Sequence, residues 1–162
     1  MKMNVFTRRT SILAVSFLMM AACGASGDET DTANGSSEAA LQEISLGADD
    51  APVTIVEYAS WTCPACLQFH NEVVGNLKED YVDTGKGRYV FREFPTAPAE
   101  ISVAGFAIAR CAGEDQYYDV LDELFSRQTA ILGLARQGGQ VKQALQQVAA
   151  NHGISDPAKF DE

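Results

Sequence analysis

Two cysteines separated by two residues constrain this chain more than any other feature of its sequence. Cys63 and Cys66 follow a short β-branched run at residues 53–56, and apolar residues continue after Cys66 at helical spacing. This pattern predicts a strand, a sharp turn and a helix that begins at the first cysteine. A disulfide between the two would close a very short loop and would remove little freedom from the unfolded chain. The pair is therefore better suited to reversible redox chemistry than to stabilising a fold.

The start of a helix is a favourable place for a reactive thiol. Thr62 is a suitable N-cap residue and Pro64 a suitable first-turn residue, so the sequence predicts that the helix begins here. The first-turn N–H groups have no partner within the helix, and together with the helix dipole they stabilise a thiolate at Cys63. Cys66, one turn later, is the predicted resolving thiol.

A metal site is the alternative interpretation of the same residues. His70 follows Cys66 by four residues, so Cys63, Cys66 and His70 could hold zinc or copper in a non-catalytic lipoprotein. A structural zinc site needs four ligands, and only Cys111 and His152 remain, both distant in sequence. A buried pair of inert thiols is a further alternative.

The residues around the dithiol resemble a known family. Residues 53–70 (VTIVEYASWTCPACLQFH) followed by residues 89–95 (YVFREFP) are similar to the DsbA-like branch of the thioredoxin superfamily, the thiol–disulfide oxidoreductases of the cell envelope. The resemblance implies that Cys63 is the nucleophile and that Cys66 resolves the mixed disulfide. It also implies that Glu57, six residues before Cys63, relays protons; the alternative is an ordinary exposed carboxylate at the end of a strand.

The resemblance also carries expectations about redox tuning and partners. Pro64 and Ala65 between the cysteines would tune the redox potential, and they lack the histidine of strongly oxidising relatives. The expected substrates are protein thiols or disulfides. The protein is also expected to exchange disulfides with an unidentified redox partner, and no cofactor is expected. The direction of net electron flow stays open.

The amino-terminal segment has the pattern of an export signal. Residues 1–22 combine Lys2, Arg8 and Arg9 with an apolar run too short to span a bilayer, which predicts a lipoprotein-type signal peptide. Cys23 then resembles the lipidated cysteine of a bacterial lipobox, which would anchor the protein to a membrane of the cell envelope. The alternatives are ordinary cleavage that leaves Cys23 as a free thiol and, for export, either the Sec or the twin-arginine route.

Residues 23–40 are small, polar and acidic, which predicts a flexible tether rather than a packed segment. The whole chain carries 22 acidic against 12 basic residues, a formal net charge of −10. A chain this acidic should repel nucleic acid and anionic lipid headgroups, so membrane attachment would come from the acyl anchor.

The rest of the chain, residues 41–162, predicts one α/β domain. Short strands are expected at residues 44–46 and 53–58, and a further strand at 88–94 that runs parallel to the second because a helix separates them. The fold class is therefore α/β, and the resemblance implies a thioredoxin-like fold with a helical insertion over about residues 96–162.

Three helices are predicted within that insertion. The first covers residues 100–112 and places Cys111 on a buried face among alanines. The second contains Tyr117, Tyr118 and Phe125, whose spacing is typical of core, and the third covers residues 141–148. Gly133 and the following glycines at 138–139 mark the expected break between them.

The end of the chain departs from the family pattern. The resemblance implies two more strands, a cis-proline facing the dithiol and a closing helix, and none of Pro95, Pro98 and Pro157 stands in the corresponding context. The fold is therefore expected to be incomplete, with residues 53–58 left as an open sheet edge. A fragment of a longer protein is the favoured explanation; a partner that supplies the missing layer, or a weakly folded chain, is the alternative. An inactive truncated relative is accordingly the third functional hypothesis.

Overall fold

The computed structural model describes residues 42–156 and residue 160. The predicted signal peptide, the predicted lipidation site Cys23, the predicted tether and Pro157 lie outside the described residues. Within the described part of the chain, no helix is both long enough and apolar enough to cross a membrane.

A mixed sheet of three strands carries the dithiol motif. The strands are β1 (Ser45–Leu46), β2 (Val53–Ala59) and β3 (Gly87–Glu93), in the order β1-β3-β2. β2 and β3 are parallel, with Ala59 opposite Glu93 at their ends, while β1 is antiparallel to β3. Parallel neighbours need a crossover, and the helix that follows the cysteines supplies it, as the sequence predicts.

Strand β2 is an edge strand, since β3 is its sole neighbour among the described strands. Its side chains alternate as expected for a half-buried strand: Ile55 and Glu57 are half-buried, whereas Val56 and Tyr58 are exposed. The open edge predicted for residues 53–58 is confirmed for the part of the sheet that the structure describes.

Helix α1 connects β2 to β3 and begins at the dithiol. It consists of the consecutive segments Pro64–Phe69, His70–Val74, Gly75–Leu77 and Lys78–Val82, of which the second and the fourth are π-helical. A π turn holds more residues than an α turn, so the apolar spacing along α1 departs from that of a regular α-helix. The end of α1 agrees with the predicted end near Tyr81.

Three helices follow β3, as predicted for the helical insertion. They are α2 (Ala99–Cys111), α3 (Glu114–Arg136) and α4 (Val141–Asn151). The Ala97–Pro98 peptide bond just before α2 is cis. Helix α3 continues through Gly133, so the break predicted there is wrong. The chain turns at Gly138, whose φ of 66° is a conformation that glycine adopts without steric cost.

Helix α3 contributes the largest buried face to the core. Its apolar residues recur at three- and four-residue steps from Tyr117 to Leu132 and pack against the sheet and the other helices. Tyr117, Tyr118 and Phe125 belong to this core, so the prediction that the aromatic stripe is structural is confirmed.

Cys111 is exposed, and the prediction that it is buried is wrong. The buried face of α2 is formed by the residues Ser102, Gly105, Phe106, Ile108 and Ala109. Cys111 lies in the last turn of α2 and outside this face. Alanine spacing alone did not indicate which side of α2 meets the core, because alanine is compatible with either side.

Candidate active site

Cys63 lies where β2 ends and α1 begins. It is the N-cap residue of α1, with an extended backbone (φ −86°, ψ 122°), and Pro64 follows in the first turn. The prediction that Thr62 is the N-cap is wrong. The Thr62 side chain is buried and its Oγ1 lies 3.0 Å from Oγ1 of Thr96. The hydroxyl group is thus engaged away from the helix, and the helix begins one residue later than predicted.

The two cysteines are free thiols, and both are partly exposed. Burial pushes the pKa of Cys63 upward, but hydrogen bonds from the Cys66 side chain and from the backbone N–H groups of Cys66 and Ala65 outweigh this effect. The pKa of Cys63 therefore lies below its ordinary value. First-turn N–H groups can serve the sulfur in this way because they have no partner within the helix.

Cys66 has the opposite tendency. It packs against the hydrophobic core, and burial raises its pKa. A backbone hydrogen bond at Ser60 opposes this rise, whereas Cys63 and the charge of Glu57 reinforce it. The lowered pKa of Cys63 and the raised pKa of Cys66 favour the thiolate at Cys63 and the thiol at Cys66.

Glu57 is a half-buried carboxyl group on β2 whose charge acts on Cys66. It accepts a hydrogen bond from the hydroxyl group of Tyr89 on β3. Burial raises the pKa of Glu57, and the Tyr89 hydrogen bond offsets part of that rise. Burial and the Glu57 contact raise the pKa of Tyr89 well above its ordinary value, so Tyr89 remains a proton donor. The alternative of an exposed strand-end carboxylate does not describe this environment.

Four buried polar side chains lie in or against the segment that leads into the dithiol. We call Ser60, Thr62, Ser102 and Gln128 the Ser60 cluster; they are the buried polar side chains of the described residues. Ser60 Oγ lies 2.9 Å from Thr62 Oγ1 and 2.8 Å from Ser102 Oγ, and it also accepts hydrogen bonds from the N–H groups of Thr62 and Thr96. Each member has a hydrogen-bond partner, which offsets the cost of burying a polar group.

Gln128 connects the helical insertion to the same segment. From α3, its Nε2 donates to the carbonyl oxygens of Trp61 at 2.6 Å and of Cys63 at 2.9 Å. These two carbonyl groups flank Thr62, so one amide group spans the turn between β2 and α1.

Trp61 packs this segment against α2. Its ring is fully buried, and its Nε1 donates to the carbonyl oxygen of Ser102 at 2.9 Å. Gly105 makes the contact possible, because a Cβ atom there would stand 2.3 Å from Trp61 Nε1. The glycine in the middle of α2 is thus required by close packing.

An open hollow of about 340 Å³ flanks the motif on the side of Pro64. It is lined by Thr62, Pro64, Ala97, Pro98, Leu132, Ala135 and Arg136. Pro64 and Ala65 are themselves exposed, so the motif is accessible from solvent.

His70 makes contacts that differ from those of a metal ligand beside the cysteines. Its ring stacks on Phe125 with centroids 4.3 Å apart, and its Nε2 lies 3.3 Å from Oδ1 of Asp122. Burial lowers the pKa of His70, Asp122 opposes this and Lys78 adds to it. Among residues 42–156 and 160, no group of three or more His, Cys, Asp or Glu side chains is arranged to hold a metal ion.

Sequence reasoning did not identify Tyr89 or Gln128 as members of the site. For Gln128 the sequence contained a usable signal, since it is a polar residue at a core position of α3, four residues after Leu124 and three before Ile131. For Tyr89 there was no comparable signal, because a tyrosine in a strand is an ordinary core residue.

Comparisons with known proteins agree with this geometry. A family model described as thioredoxin matches residues 39–161. A "Putative protein-disulfide oxidoreductase" of Rickettsia bellii is 33% identical over 86 residues, which cover 53% of this chain and 32% of the relative. A "Probable disulfide bond formation protein D" of Bacillus cereus is 38% identical over 87 residues, covering 52% of this chain and 40% of the relative. The chain thus spans less than half the length of either relative.

Solved structures give the same result for the fold. The crystal structure of alpha-DsbA1 from Wolbachia pipientis has a TM-score of 0.54 and 29% identity, covering 75% of this chain and 63% of that one. A protein-disulfide isomerase from Novosphingobium aromaticivorans, at 24% identity and a TM-score of 0.59, covers 74% of this chain and 69% of that one and shares the fold. The thioredoxin-like fold and the resemblance to the DsbA-like branch, both expected from the sequence, are confirmed.

Proposed function

Because this chain belongs to the thioredoxin family, we propose that it exchanges disulfides with proteins in the bacterial cell envelope through Cys63 and Cys66. One observation carries the proposal: Cys63 is the N-cap residue of α1, beside Cys66 and the first-turn backbone, and this surrounding holds the pKa of Cys63 below its ordinary value. The names of the Rickettsia and Bacillus relatives support the same reaction.

In the oxidising direction, a substrate thiolate attacks the Cys63 sulfur of the Cys63–Cys66 disulfide. The bond between the two cysteines breaks, Cys66 leaves as a thiolate and takes up a proton, and Cys63 is joined to the substrate. A second substrate thiolate then attacks the substrate sulfur and releases Cys63 as a thiolate. Two electrons pass from the substrate to the protein, and the reverse sequence reduces a substrate disulfide.

The pKa difference between the cysteines supports these roles. Cys63, whose pKa is lowered, is a good leaving group in the last step, whereas the raised pKa of Cys66 draws a proton to it once it is released. Glu57 is the proposed source and acceptor of that proton, because its charge acts on Cys66 and burial raises its own pKa. Tyr89 holds the Glu57 carboxyl group in place.

Pro64 and Ala65 are the proposed redox-tuning residues. Pro64 starts α1, and the backbone of Ala65 helps to lower the pKa of Cys63. Neither side chain adds a charge beside the sulfur, so backbone groups and Cys66 supply the stabilisation of the thiolate. Redox exchange with a second protein would restore the starting state after each cycle.

The proposed location is the surface of an envelope membrane, with a lipid on Cys23. The support is the sequence pattern of residues 1–23 and the small, acidic segment that follows, which would act as a tether. Growth with a radiolabelled fatty acid should label the wild-type protein and leave a Cys23→Ala variant unlabelled.

The test of the reaction is reduction of insulin disulfides by the purified chain with dithiothreitol as electron donor. We expect turnover for the wild type, loss to the background rate for Cys63→Ser, and accumulation of a mixed disulfide with the substrate for Cys66→Ser. Cys111→Ser is the matched control, because it removes an exposed thiol outside the motif. Equal rates for the wild type and Cys63→Ser would refute the proposal.

A further inference from the structure

Gln128 is a buried amide that contacts the dithiol turn from a distant part of the chain. It is 3% exposed, and its Nε2 donates to the carbonyl oxygens of Trp61 and Cys63. The Cys63 carbonyl also accepts the N–H of Leu67 at 3.0 Å, which is the first hydrogen bond of α1. The two lone pairs of this oxygen are thus used by α1 and by α3 together.

The burial of this amide has no explanation in the packing of α3 alone. The neighbouring buried residues of the helix, among them Leu124, Phe125, Ile131 and Leu132, are apolar. An apolar side chain of similar size at position 128 would fill the same space without a polar group to desolvate. The buried amide nitrogen of Gln128 is hydrogen-bonded, because it donates to two carbonyl groups, and both of these belong to the turn at the dithiol.

We propose that Gln128 is a positioning residue for the thiol–disulfide exchange of Cys63, an inference that rests on the proposed function. By holding the carbonyl groups on both sides of Thr62, it fixes the peptide planes that bring Cys63 to the helix N-cap. The Cys63 side chain then lies at the start of α1, where the backbone of Ala65 and Cys66 favours its anion. Without the amide, the Cys63 backbone can rotate away from this orientation, and the anion of Cys63 is then less well stabilised by the helix start.

The charges around the dithiol do not depend on Gln128. Cys63 and Cys66 act on each other, the charge of Glu57 acts on Cys66, and Arg136 on α3 lines the hollow beside Pro64. A neutral replacement of Gln128 leaves all of these groups in the chain. A changed titration of Cys63 in such a variant therefore reports on geometry rather than on a removed charge.

The experiment measures alkylation of Cys63 in the reduced full-length protein as a function of pH, with the modified peptide quantified by mass spectrometry. Gln128→Met keeps the length of the side chain and removes the donor. We expect its alkylation midpoint to move to higher pH, with the thiolate fraction at neutral pH reduced roughly two- to tenfold, the range expected for loss of one hydrogen bond. Its rate of insulin reduction should fall through kcat, with KM little changed.

Two control variants separate positioning from stability. Val120→Ala shortens a fully buried side chain two turns before Gln128 on the same helix, and Arg127→Ala changes the residue next to Gln128. We expect both to keep the wild-type midpoint, although Val120→Ala lowers the free energy of unfolding. Gln128→Asn, which is too short to reach both carbonyl groups, should shift the alkylation midpoint in the same direction as Gln128→Met. If Gln128→Met does not fold, the midpoint of Gln128→Asn tests the proposal instead.

The outcomes distinguish the two proposals. A wild-type protein in which Cys63 titrates at the ordinary thiol value and exchanges no disulfides would overturn the proposed function. An activated Cys63 whose midpoint is the same in the wild type, Gln128→Met and Gln128→Asn would overturn the role of Gln128 alone. A shift in Val120→Ala as large as in the Gln128 variants would also overturn it, because loss of stability would then account for the effect.

Discussion

The Ser60 cluster and the ion pairs around Glu123 both involve helix α3, but they differ in charge and exposure. The Ser60 cluster is neutral, and its four members are at most 3% exposed. Glu123 binds Arg127 and His152, with closest N–O distances of 2.8 Å each, and the side chains of Arg127, Glu123 and His152 are 40%, 18% and 12% exposed. One set lies in the core beside the dithiol, and the other is half-buried and reaches the surface at Arg127.

This difference indicates how the protein combines a rigid turn with a reactive anion. Neutral dipoles can be buried when every group has a partner, and they add no net charge that would compete with the Cys63 thiolate. Ion pairs at the surface are screened by water and salt, so they contribute little to stability or to the field at the sulfur. Changes in the Ser60 cluster should therefore have large effects and changes around Glu123 small ones.

The largest expected effect comes from Gly105→Ala, which disrupts the close packing of α2 against Trp61, beside the Ser60 cluster. The new Cβ would stand 2.3 Å from Trp61 Nε1, so Trp61 or α2 must move. We expect a loss of about 1–3 kcal/mol in the free energy of unfolding, the usual cost of overpacking. The chain contains a single tryptophan, so the emission of Trp61 reports both unfolding and displacement of the ring.

Gly75→Ala is the matched control for this variant. Gly75 is also helical, but a Cβ there meets no atom within 4 Å. It should leave Trp61 emission unchanged and raise stability slightly, because alanine has the higher helix propensity. Equal stability of the two variants would contradict the close contact between α2 and Trp61.

The next effect is expected for Ser60→Ala, which removes the centre of the cluster. The hydroxyl groups of Thr62 and Ser102 and the N–H of Thr96 each lose a partner. An unpaired buried polar group costs about 1–3 kcal/mol, so urea unfolding should show a loss of that order.

Ser126→Ala is the corresponding surface change. The exposed Ser126 hydroxyl bonds to the carbonyl oxygen of Glu123 within its own helix. Its loss should alter stability by less than about 0.5 kcal/mol. If the two serine variants unfold at the same urea concentration, the contrast between buried and surface polar groups does not hold.

Glu57→Gln tests a carboxyl group that lies on the dithiol side of the protein. Burial raises the pKa of Glu57 above 4.5, so the native state binds more protons than the unfolded state between that value and the native pKa. The free energy of unfolding therefore falls as the pH rises through this window. Glu57→Gln should lack this fall, and urea unfolding at a series of pH values measures the difference.

Tyr89→Phe provides the complementary variant. It removes the hydrogen bond that partly offsets the effect of burial, so the pKa of Glu57 should rise further and the window should extend to higher pH. Parallel pH profiles for the wild type, Glu57→Gln and Tyr89→Phe would mean that the Glu57 carboxyl group is not held in this environment.

The smallest effect is expected for Arg127→Ala, next to Gln128 in the chain. It removes a pair with Glu123 at i,i+4 spacing, 2.8 Å between Nε and Oε1. Partly exposed pairs at this spacing contribute about 0.3–0.5 kcal/mol, and the contribution should shrink when salt is added. If Arg127→Ala lost as much free energy of unfolding as Ser60→Ala, and salt did not change this loss, the ion pairs of Glu123 would stabilise the protein as much as the Ser60 cluster does.

The sequence by itself determined the order of the elements and the place of the dithiol. The β-branched run, the Cys-Pro-Ala-Cys spacing and the helical periodicity after Cys66 are local patterns, and they predicted β2, α1 and the parallel β3 close to where they are. Pro64 at the helix start was predictable for the same reason, because a helix start depends on a few neighbouring residues.

Only the tertiary structure decided which side chains face the dithiol and which face solvent. Thr62 has the propensity of an N-cap, yet its hydroxyl group bonds to Thr96, 34 residues away. Cys111 continues the three- and four-residue apolar spacing of Ala104 and Ile108, yet the packing of α2 leaves it exposed. Gln128 reaches a carbonyl group 65 residues away. A sequence pattern records preferences within one or two turns of chain, whereas these contacts exist only after helices and sheet have packed together.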